Sequence, residues 1–420
     1  MHPNALLNAA ADLLRTVLHF EYPADAVVSR YFREHHRLGQ RERATLAETV
    51  YAVLRLKSLY DHHAISGAGP RERRLAILGL AAPREFVRAA LSEAERDWLA
   101  ACDAADTSLL PPACHHNLPA WLAERLLQTL GETEFDALAA SLLRPAPLDL
   151  RVNTLQARRD AVRDELRAAG IDTDPTRYSP WGLRAHGKPA INRSDAFRRG
   201  AVEVQDQGSQ LLALLTDARR GQMAADFCAG AGGKTLALGA AMRSTGRLYA
   251  FDTSAHRLAA LKPRLARSGL SNVHPVAIAH ERDERIKRLA GKMDRVLVDA
   301  PCSGLGTLRR NPDLKWRQTE NAITELTAKQ TAILTSAARL VKPGGRLVYA
   351  TCSLLSDENE AIAAAFGAAH PDFSPAPAAD ILQALKVPDA AALCSPDALY
   401  LRLWPHRHDT DGFFAAVWER

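Results

Sequence analysis

A glycine-rich loop between a short apolar run and an Ala/Leu-rich helical segment constrains this chain most. It reads DFCAGAGGKT over residues 226–235. Glycines let the backbone come close to a ligand, and the N-terminus of the following helix offers unpaired N–H groups with partial positive charge. The order of strand, tight loop and helix therefore predicts a site for a nucleotide-like ligand.

Two kinds of nucleotide site compete for this pattern, a phosphate-binding P-loop and a Rossmann-like loop. The P-loop pattern requires its first glycine five residues before Gly233, where this chain has Cys228. The next apolar run, residues 247–251, ends in Asp252, which lies 19 residues beyond Gly233. A carboxylate at that place can accept hydrogen bonds from both hydroxyls of a ribose. The spacing therefore favours a Rossmann-like loop that binds a nucleoside.

The segments after Gln205 alternate between strand-like and helix-like patterns, which predicts an α/β fold with a mostly parallel sheet and an antiparallel C-terminal hairpin. The predicted strands are 224–227, 248–251, 273–278, 295–298 and 346–349, and the hairpin pairs 398–403 with 413–418 at the edge of the sheet. Helical periodicity dominates the first 140 or so residues, and short strands flank one helix after it. We expect three domains, namely an all-α domain at 1–142, a small basic α+β (RRM-like) module at 145–205 and a Rossmann-like domain at 206–420.

The charge distribution suggests contact with a polyanion. The chain has a formal net charge of +6, and residues 151–200 carry eleven Lys or Arg against six Asp or Glu. A second basic segment, residues 309–317, combines four Lys or Arg with Trp316, which suits phosphate contact and base stacking. Ordinary solvated surface charge is the alternative for both segments.

The six cysteines form no C-x-x-C pair, which argues against a zinc site and a disulfide framework. Cys114 and the two histidines after it lack further ligands at useful spacing, so we expect no metal. No apolar signal core or membrane-length apolar run is present, and no obligate protein partner is evident, so we expect a soluble cytoplasmic protein.

Two of these cysteines follow predicted strands. Cys302 stands in Asp299-Ala-Pro-Cys-Ser-Gly and Cys352 in Thr-Cys-Ser, so both reach the same sheet edge as the glycine loop. A single such cysteine is usually buried and inert. Two of them at the rim of one ligand crevice make a nucleophilic thiolate the leading hypothesis.

With these motifs the chain resembles the RsmB/Nop/Sun family of S-adenosylmethionine-dependent RNA cytosine-5 methyltransferases. The resemblance rests on four motifs in the family's order, at 226–235, 299–304, 309–313 and 351–353. It is strongest from about residue 150 to 353, and the N-terminal helices resemble the NusB-like domain of bacterial members. The family loop usually reads Ala-Ala-Pro-Gly-Gly, and here Gly230 and Ala231 replace Ala-Pro.

The resemblance implies a catalytic set for attack on cytosine. Carbon 5 is a poor nucleophile until a thiolate adds to carbon 6. The family assigns that attack to the Thr-Cys-Ser thiol, here Cys352, whereas Cys302 would assist proton loss and product release. The residues alone do not rank the two thiols, and in related DNA enzymes the Pro-Cys thiol attacks. Asp299 would hold the cytosine ring, and Lys234 would support that carboxylate or lower a thiol pKa.

The resemblance also implies S-adenosylmethionine as cofactor, lying across the glycine loop with Asp252 on its ribose. Asp299 borders the same site, Arg257 occupies the family's arginine position, and a third acid touches the adenine side. Asp283 is the candidate for that acid, although its acidic neighbours offer other registers. The expected cofactor-binding loop comprises Cys228, Ala229, Gly230, Ala231, Gly232, Gly233 and Lys234.

RNA is the expected partner and substrate, small-subunit ribosomal RNA by family likeness and transfer RNA as an alternative. A non-catalytic RNA-binding assembly factor that retains the fold is the runner-up. The two thiols argue against it, because a binding protein has no need of them. A Rossmann oxidoreductase is weakened by Cys228 in the turn and by the lack of an accompanying Tyr-Lys or His pattern.

Overall fold

The computed structural model describes residues 2–420 and divides into two compact units. Within the described residues, the first unit contains 2–145 and Thr307–Thr319, and the second contains Ala146–Gly306 and Glu320–Arg420. The predicted α+β module and the predicted Rossmann-like domain therefore share one compact unit, while a short segment from within the latter belongs to the helical unit.

The α-helices are α1 Pro3–Val17, α2 Ala24–Glu34, α3 Gln40–Arg55, α4 Lys57–Ala64, α5 Arg71–Gly79, α6 Arg84–Arg88, α7 Glu93–Asp103, α8 Pro112–His116, α9 Ala120–Leu130, α10 Glu132–Leu142, α11 Arg159–Ala168, α12 Asp195–Arg198, α13 Gln207–Thr216, α14 Gly233–Ala241, α15 Ala255–Ser268, α16 Glu284–Lys287, α17 Leu314–Arg317, α18 Glu320–Ala338, α19 Glu360–Ala369, α20 Ala378–Ala384 and α21 Pro405–His408. The strands are β1 Leu148–Val152, β2 Thr173–Pro175, β3 Gly182–Ala185, β4 Val202–Val204, β5 Met223–Asp226, β6 Arg247–Asp252, β7 Val273–Ala277, β8 Met293–Asp299, β9 Val341–Thr351, β10 Ser374–Pro375, β11 Leu401–Leu403 and β12 Phe413–Glu419.

The first unit is helical because its apolar residues recur at the spacing of one helix face. In α1 the buried positions follow the i, i+3, i+4, i+7 pattern and are Leu6, Leu7, Ala10, Ala11, Leu13, Leu14 and Val17. These side chains pack against buried residues of α3 and α5 in one hydrophobic core. The expectation of consecutive helices is met, although the sequence pattern did not single out α5, whose first turn is rich in arginine.

The basic segment 309–317 packs into this helical core, which corrects its interpretation as an exposed RNA-binding rim. The indole N–H of Trp316 donates to the carbonyl of Leu54 at 2.8 Å, and Lys315 Nζ donates to the carbonyl of Arg55 at 2.9 Å. Lys315 is only 2% exposed. Charge in a sequence does not reveal burial, and here backbone carbonyls at the end of α3 satisfy both side chains.

The second unit contains two sheets. The smaller is fully antiparallel, with the order β2-β3-β1-β4, and α11 and α12 pack against it. The larger has the order β10-β12-β9-β8-β5-β6-β7, in which β9, β8, β5, β6 and β7 run parallel. This confirms the α/β, Rossmann-like fold class with an antiparallel C-terminal hairpin.

The hairpin lies at one edge of the larger sheet, as predicted, and the short strand β10 joins it there. β12 pairs with β9 on one side and with β10 and β11 on the other, so it is not an edge strand. The two-residue β10 is too short to give a sequence signal. At the opposite edge β7 contains Pro275, which an edge strand tolerates because one side of its backbone needs no partner.

The strand order fixes where a ligand binds. β5 lies between β6 and β8, so the connections lead away from β5 in both directions and leave a crevice beyond its carboxyl end. The carboxyl ends of β5, β6, β8 and β9 carry Asp226, Asp252, Asp299 and Thr351. Within residues 2–420, no helix is long and apolar enough to cross a membrane.

Candidate active site

The glycine loop connects β5 to α14 through two left-handed backbone positions. Gly230 has φ +55° and Gly232 has φ +84°. A Cβ atom at residue 232 would lie 2.1 Å from Leu261 Cδ1, whereas one at Gly233 would meet nothing closer than 3.7 Å. Glycine is therefore required at 232 by both backbone conformation and space.

Asp252 is fixed against this loop at the end of β6. Its Oδ2 accepts from the backbone N–H of Gly230 at 2.7 Å, and its Oδ1 accepts from Ser254 N at 2.7 Å. Arg257 Nη1 lies 3.8 Å from the same Oδ2. The carboxylate is 6% exposed, and it borders the cavity described next.

A cavity of about 420 Å³ lies beyond the strand ends. Six residues that the sequence predicted as catalytic or cofactor-binding line it, namely Cys228, Asp252, Arg257, Asp299, Cys302 and Cys352. Its apolar walls include Phe227, Ile278 and Ile333. Ala229 to Lys234 are not part of the lining. Two of these residues contact acids that are, because Gly230 N donates to Asp252 and Lys234 Nζ donates to Asp299.

The structure places Asp283, the candidate for the third acid, outside the lining of the cavity. Asp283 caps α16, where its carboxylate accepts from the backbone N–H groups of Ala279 and Arg285 at 2.9 Å each, and it does not line the cavity. These two bonds lower the pKa of Asp283. Glu281 lines the cavity instead. Asp is a favoured helix N-cap, so the local turn decides which acid of this run faces the ligand.

Lys234 and Asp299 form a close ion pair between α14 and the end of β8. Lys234 Nζ lies 2.6 Å from Asp299 Oδ2. Burial disfavours the ammonium form, but the attraction of Asp299, and more weakly of a Cys352 thiolate, outweighs burial and raises the pKa of Lys234. The lysine therefore stays charged beside both groups.

Cys302 and Cys352, here called the two loop cysteines, lie side by side in the lining of the cavity. Their Sγ atoms are 3.4 Å apart, and the backbone N–H of Cys352 donates to Cys302 Sγ at 3.3 Å. The contact with Cys352 and burial raise the pKa of Cys302 well above its ordinary value. Burial also raises the pKa of Cys228. Cys302 and Cys228 therefore remain neutral thiols at neutral pH.

A buried carboxylate that the sequence analysis missed joins the two cysteine loops. Glu358 is fully buried, and its Oε1 accepts from Ser303 N at 2.8 Å and from Gln330 Nε2 at 2.9 Å. Its Oε2 accepts from the hydroxyls of Ser303 and Ser353. Each serine directly follows a loop cysteine, so the Glu358 side chain holds both cysteine loops in place through hydrogen bonds. Its place in an ordinary polar run gave no signal of this role.

Asp226, at the end of β5, is buried beneath the loop. It is 1% exposed, and Thr235 Oγ1 donates to its Oδ2 at 2.7 Å. Burial raises the pKa of Asp226 to about 7, and this exceeds the opposing effect of the Thr235 hydrogen bond. Asp226 therefore ties the start of α14 to β5 without adding a full negative charge near Asp299.

In the described part of the chain, residues 2–420, no group of three or more His, Cys, Asp or Glu side chains has an arrangement that could hold a metal ion. Cys114 is buried, with its thiol against the carbonyl of Ser58, and His116 pairs with Asp136 at 3.2 Å. The site chemistry is that of two thiols, a carboxylate and a lysine beside an apolar-walled cavity. Such a set can add a sulfur nucleophile to a polarised ring and can manage the protons involved.

Known proteins match this chain in sequence and in structure. The family model described as 16S rRNA methyltransferase RsmB/F matches residues 213–419, and a ferredoxin-like domain model of RsmF/B-like methyltransferases matches residues 118–192. The probable ribosomal RNA small subunit methyltransferase B of Bacillus subtilis is 30% identical over 367 residues, which cover 87% of this chain and 80% of the relative.

A second relative, the probable ribosomal RNA small subunit methyltransferase B of Synechocystis, is 36% identical over 302 residues. Those residues cover 72% of this chain and 66% of the relative, slightly less than two thirds of its length. The crystal structure of PH0851 superposes with a TM-score of 0.80 at 28% identity, covering 100% of this chain and 99% of that one.

The matches confirm the family that the four motifs indicated, and with it S-adenosylmethionine as the cofactor. They extend across both sheets of the second unit. The chain belongs to the RsmB/F family of 16S rRNA methyltransferases.

Proposed function

We propose that the protein transfers the methyl group of S-adenosylmethionine to carbon 5 of a cytidine in RNA through a covalent cysteine adduct. The observation that carries this proposal is the pair of sulfur atoms 3.4 Å apart in one cavity with Asp299. The matched relatives are named as ribosomal RNA small subunit methyltransferases, which makes ribosomal RNA the first substrate to test and transfer RNA the second.

The cavity fits S-adenosylmethionine by its chemistry. Asp252 presents a carboxylate held by backbone N–H groups, which suits ribose hydroxyls. The apolar side chains of Ile278 and Ile333 suit an adenine ring, and the presence of Glu281 in the same lining supports it as the acid that accepts from the amino group of that ring. Arg257 borders the same region. When bound, the cofactor supplies an electrophilic methyl group.

The two thiols take different roles in this proposal. Cys352 adds through its sulfur to carbon 6 of cytosine, and the Lys234 ammonium lies close enough to interact electrostatically with that sulfur. Cys302 has a raised pKa, so it is a poor nucleophile at neutral pH but a suitable group to hold a proton. Once carbon 5 carries the methyl group, its proton passes to a water molecule and the bond from Cys352 to carbon 6 breaks. The Cys302 thiol assists this elimination by donating its S–H to the departing Cys352 sulfur, 3.4 Å away, and the methylated base leaves.

Asp299 holds the cytosine ring during the addition. Its Oδ2 is occupied by Lys234, so the ammonium fixes the direction of the carboxylate that remains available to the base. A carboxyl group can accept from the exocyclic amine and share a proton with ring nitrogen 3. A base in a duplex must leave its stack to reach this cavity, so the target is unpaired at the time of reaction.

The test is transfer of a labelled methyl group from S-adenosylmethionine into RNA from cells that lack this protein. The RNA is separated by size class and digested to nucleosides. We expect label in 5-methylcytidine of small-subunit ribosomal RNA, lost in Cys352→Ala. Label in transfer RNA alone would identify transfer RNA, and not ribosomal RNA, as the substrate. Methyl transfer that survives both Cys352→Ala and Asp299→Ala would refute the mechanism.

If the wild-type chain binds S-adenosylmethionine but methylates no RNA, the catalytic proposal fails. A separate binding measurement with S-adenosylmethionine keeps this outcome distinct from a misfolded preparation. The matched control is Cys394→Ala, a half-buried cysteine that does not line the cavity, which should leave the rate unchanged.

A further inference from the structure

A second cavity of about 370 Å³ lies beside the smaller sheet, and no function has been assigned to it so far. It is formed by the loop after β1, the turn before β3 and the segment after α14. We call it the arginine cavity, because three arginines line it and no acidic residue does so in the described part of the chain. The lining residues are Val152, Thr154, Leu155, Gln156, Ala157, Arg158, Arg159, Pro180, Trp181 and Arg243.

The arginines of this cavity have no acidic partner. Arg158 and Arg159 make no side-chain hydrogen bond or ion pair with the residues described, and Arg243 donates only to the carbonyl of Thr154 at 2.7 Å. Other arginines of the same module are neutralised, as Arg199 is by Glu165. The positive charge of the arginine cavity is therefore available to an anion.

The backbone at Arg243 is held in an unfavourable conformation. Arg243 has φ +53° and Ser244 has φ +55°, and left-handed positions of this kind normally favour glycine. The position directly after a helix C-terminus is the one where glycine is most common. Two consecutive side chains at such places cost stability, and the Arg243 guanidinium donates to the Thr154 carbonyl from this conformation.

The cavity also offers an aromatic surface. Trp181 is half-buried against the core of the second unit, and it lines the arginine cavity beside Pro180. Guanidinium groups next to a partly exposed indole are a combination that binds the phosphates and the bases of single-stranded nucleic acid. A cavity of this size suits one unpaired nucleotide better than a duplex.

We propose that the arginine cavity binds an unpaired nucleotide of the same RNA that carries the target cytidine, several nucleotides away from it. This rests on the proposed function. The helix α14 begins at the glycine loop and ends two residues before Arg243, and its nine residues span about 13 Å at 1.5 Å per residue. An RNA that occupies both cavities must therefore extend well beyond the target base.

The proposal is tested with fluorescently labelled single-stranded oligocytidine RNAs of about 4 and about 16 nucleotides, which bracket the site sizes of single-strand binding proteins. Arg158→Glu/Arg159→Glu is compared with Arg163→Glu/Arg167→Glu, an equal charge change on α11 at two arginines that lie near Asp164. We expect only the first pair to weaken binding of the long RNA, by about tenfold, and to reduce its salt slope by about 1.4, since each phosphate contact on single strands contributes roughly 0.7.

If both pairs of substitutions weakened binding of the long RNA equally, binding would depend only on the net charge of the protein. That result would overturn the proposal. So would equal weakening for the short RNA, which can bind at the catalytic cavity. These readouts need no methyl transfer, so an inactive wild-type enzyme would refute the proposed function and leave the binding comparison intact.

A third variant separates binding from folding. Arg243→Gly removes the charge and at the same time relieves the left-handed backbone, so a purely structural residue would show only a change in stability. We expect weaker binding of the long RNA with an unchanged or higher melting temperature. Unchanged binding would overturn the role of Arg243.

Discussion

Replacing Glu358 with alanine should separate the two cysteine loops. Of the four donors that Glu358 accepts from, the hydroxyls of Ser303 and Ser353 lie 3.1 Å apart and can pair with each other. The backbone N–H of Ser303 and the amide of Gln330 lose their carboxylate acceptor. At about 1–3 kcal/mol for each buried donor left unpaired, the expected loss is roughly 2–6 kcal/mol of unfolding free energy.

Glu358→Ala should affect the rate of catalysis more than it affects the binding of S-adenosylmethionine. The two loops carry Cys302 and Cys352, and a displacement of about 1 Å can cost about 100-fold in rate. We therefore expect Glu358→Ala to lower kcat by that order, while the Kd of S-adenosylmethionine changes little because Glu358 does not line the cavity. Glu358→Gln keeps an acceptor for the two N–H donors and should recover part of both losses.

The assay is thermal unfolding together with single-turnover methyl transfer and cofactor titration on the same preparations. Asp357→Ala is the control, because it removes the same charge from the exposed neighbouring residue. Rates of Glu358→Ala equal to those of Asp357→Ala would refute the coupling of the loops. A large stability loss with an unchanged rate would show that the carboxylate serves the fold alone.

Three further predictions follow from the geometry. Gly232→Ala should prevent cofactor binding and lower the melting temperature, whereas Gly233→Ala should be tolerated, as checked by calorimetric titration and thermal unfolding. Lys234→Met removes the partner of Asp299 and should lower kcat by about 10- to 100-fold, given about 1.5–3 kcal/mol for a hydrogen bond to a charged group; an unchanged kcat in rapid-quench assays would exclude this role. Burial and a nearby arginine lower the pKa of Lys315 from 10.5 to about 7, so the native state binds fewer protons than the unfolded state between these values. The unfolding free energy should rise with pH in that window by up to about 1.4 kcal/mol per pH unit. Urea unfolding of Lys315→Met, measured at several pH values, should show a smaller rise of the unfolding free energy with pH.

Local signals made much of the site predictable. The glycine loop, Asp252 and the two cysteines each stand directly after a short apolar run, and parallel strands bring their carboxyl ends to one edge. The cavity brings Cys228, Asp252, Asp299 and both loop cysteines together for that reason. The roles of these residues in catalysis and cofactor binding remain predictions.

Features that depend on tertiary packing were out of reach. Glu358 looks like any acid of a polar turn until the fold buries it, and Lys315 and Trp316 look like surface residues until the carbonyls of α3 accept from them. Asp283 was chosen over Glu281 because spacing alone does not show which acid caps the next helix. Each of these features depends on the partner of a polar group, which a sequence does not display.

The most direct test of the account is the mass of the protein after incubation with S-adenosylmethionine and an RNA that contains 5-fluorocytidine. Release of the enzyme requires removal of a proton from carbon 5, and a fluorine atom in its place cannot be removed in this way. A thiolate that has added to carbon 6 therefore stays bonded to the RNA. The account predicts a stable adduct on the peptide that contains Cys352, absent in Cys352→Ala and retained in Cys302→Ala. An adduct on Cys302, or methylation of cytidine without any adduct, would contradict it.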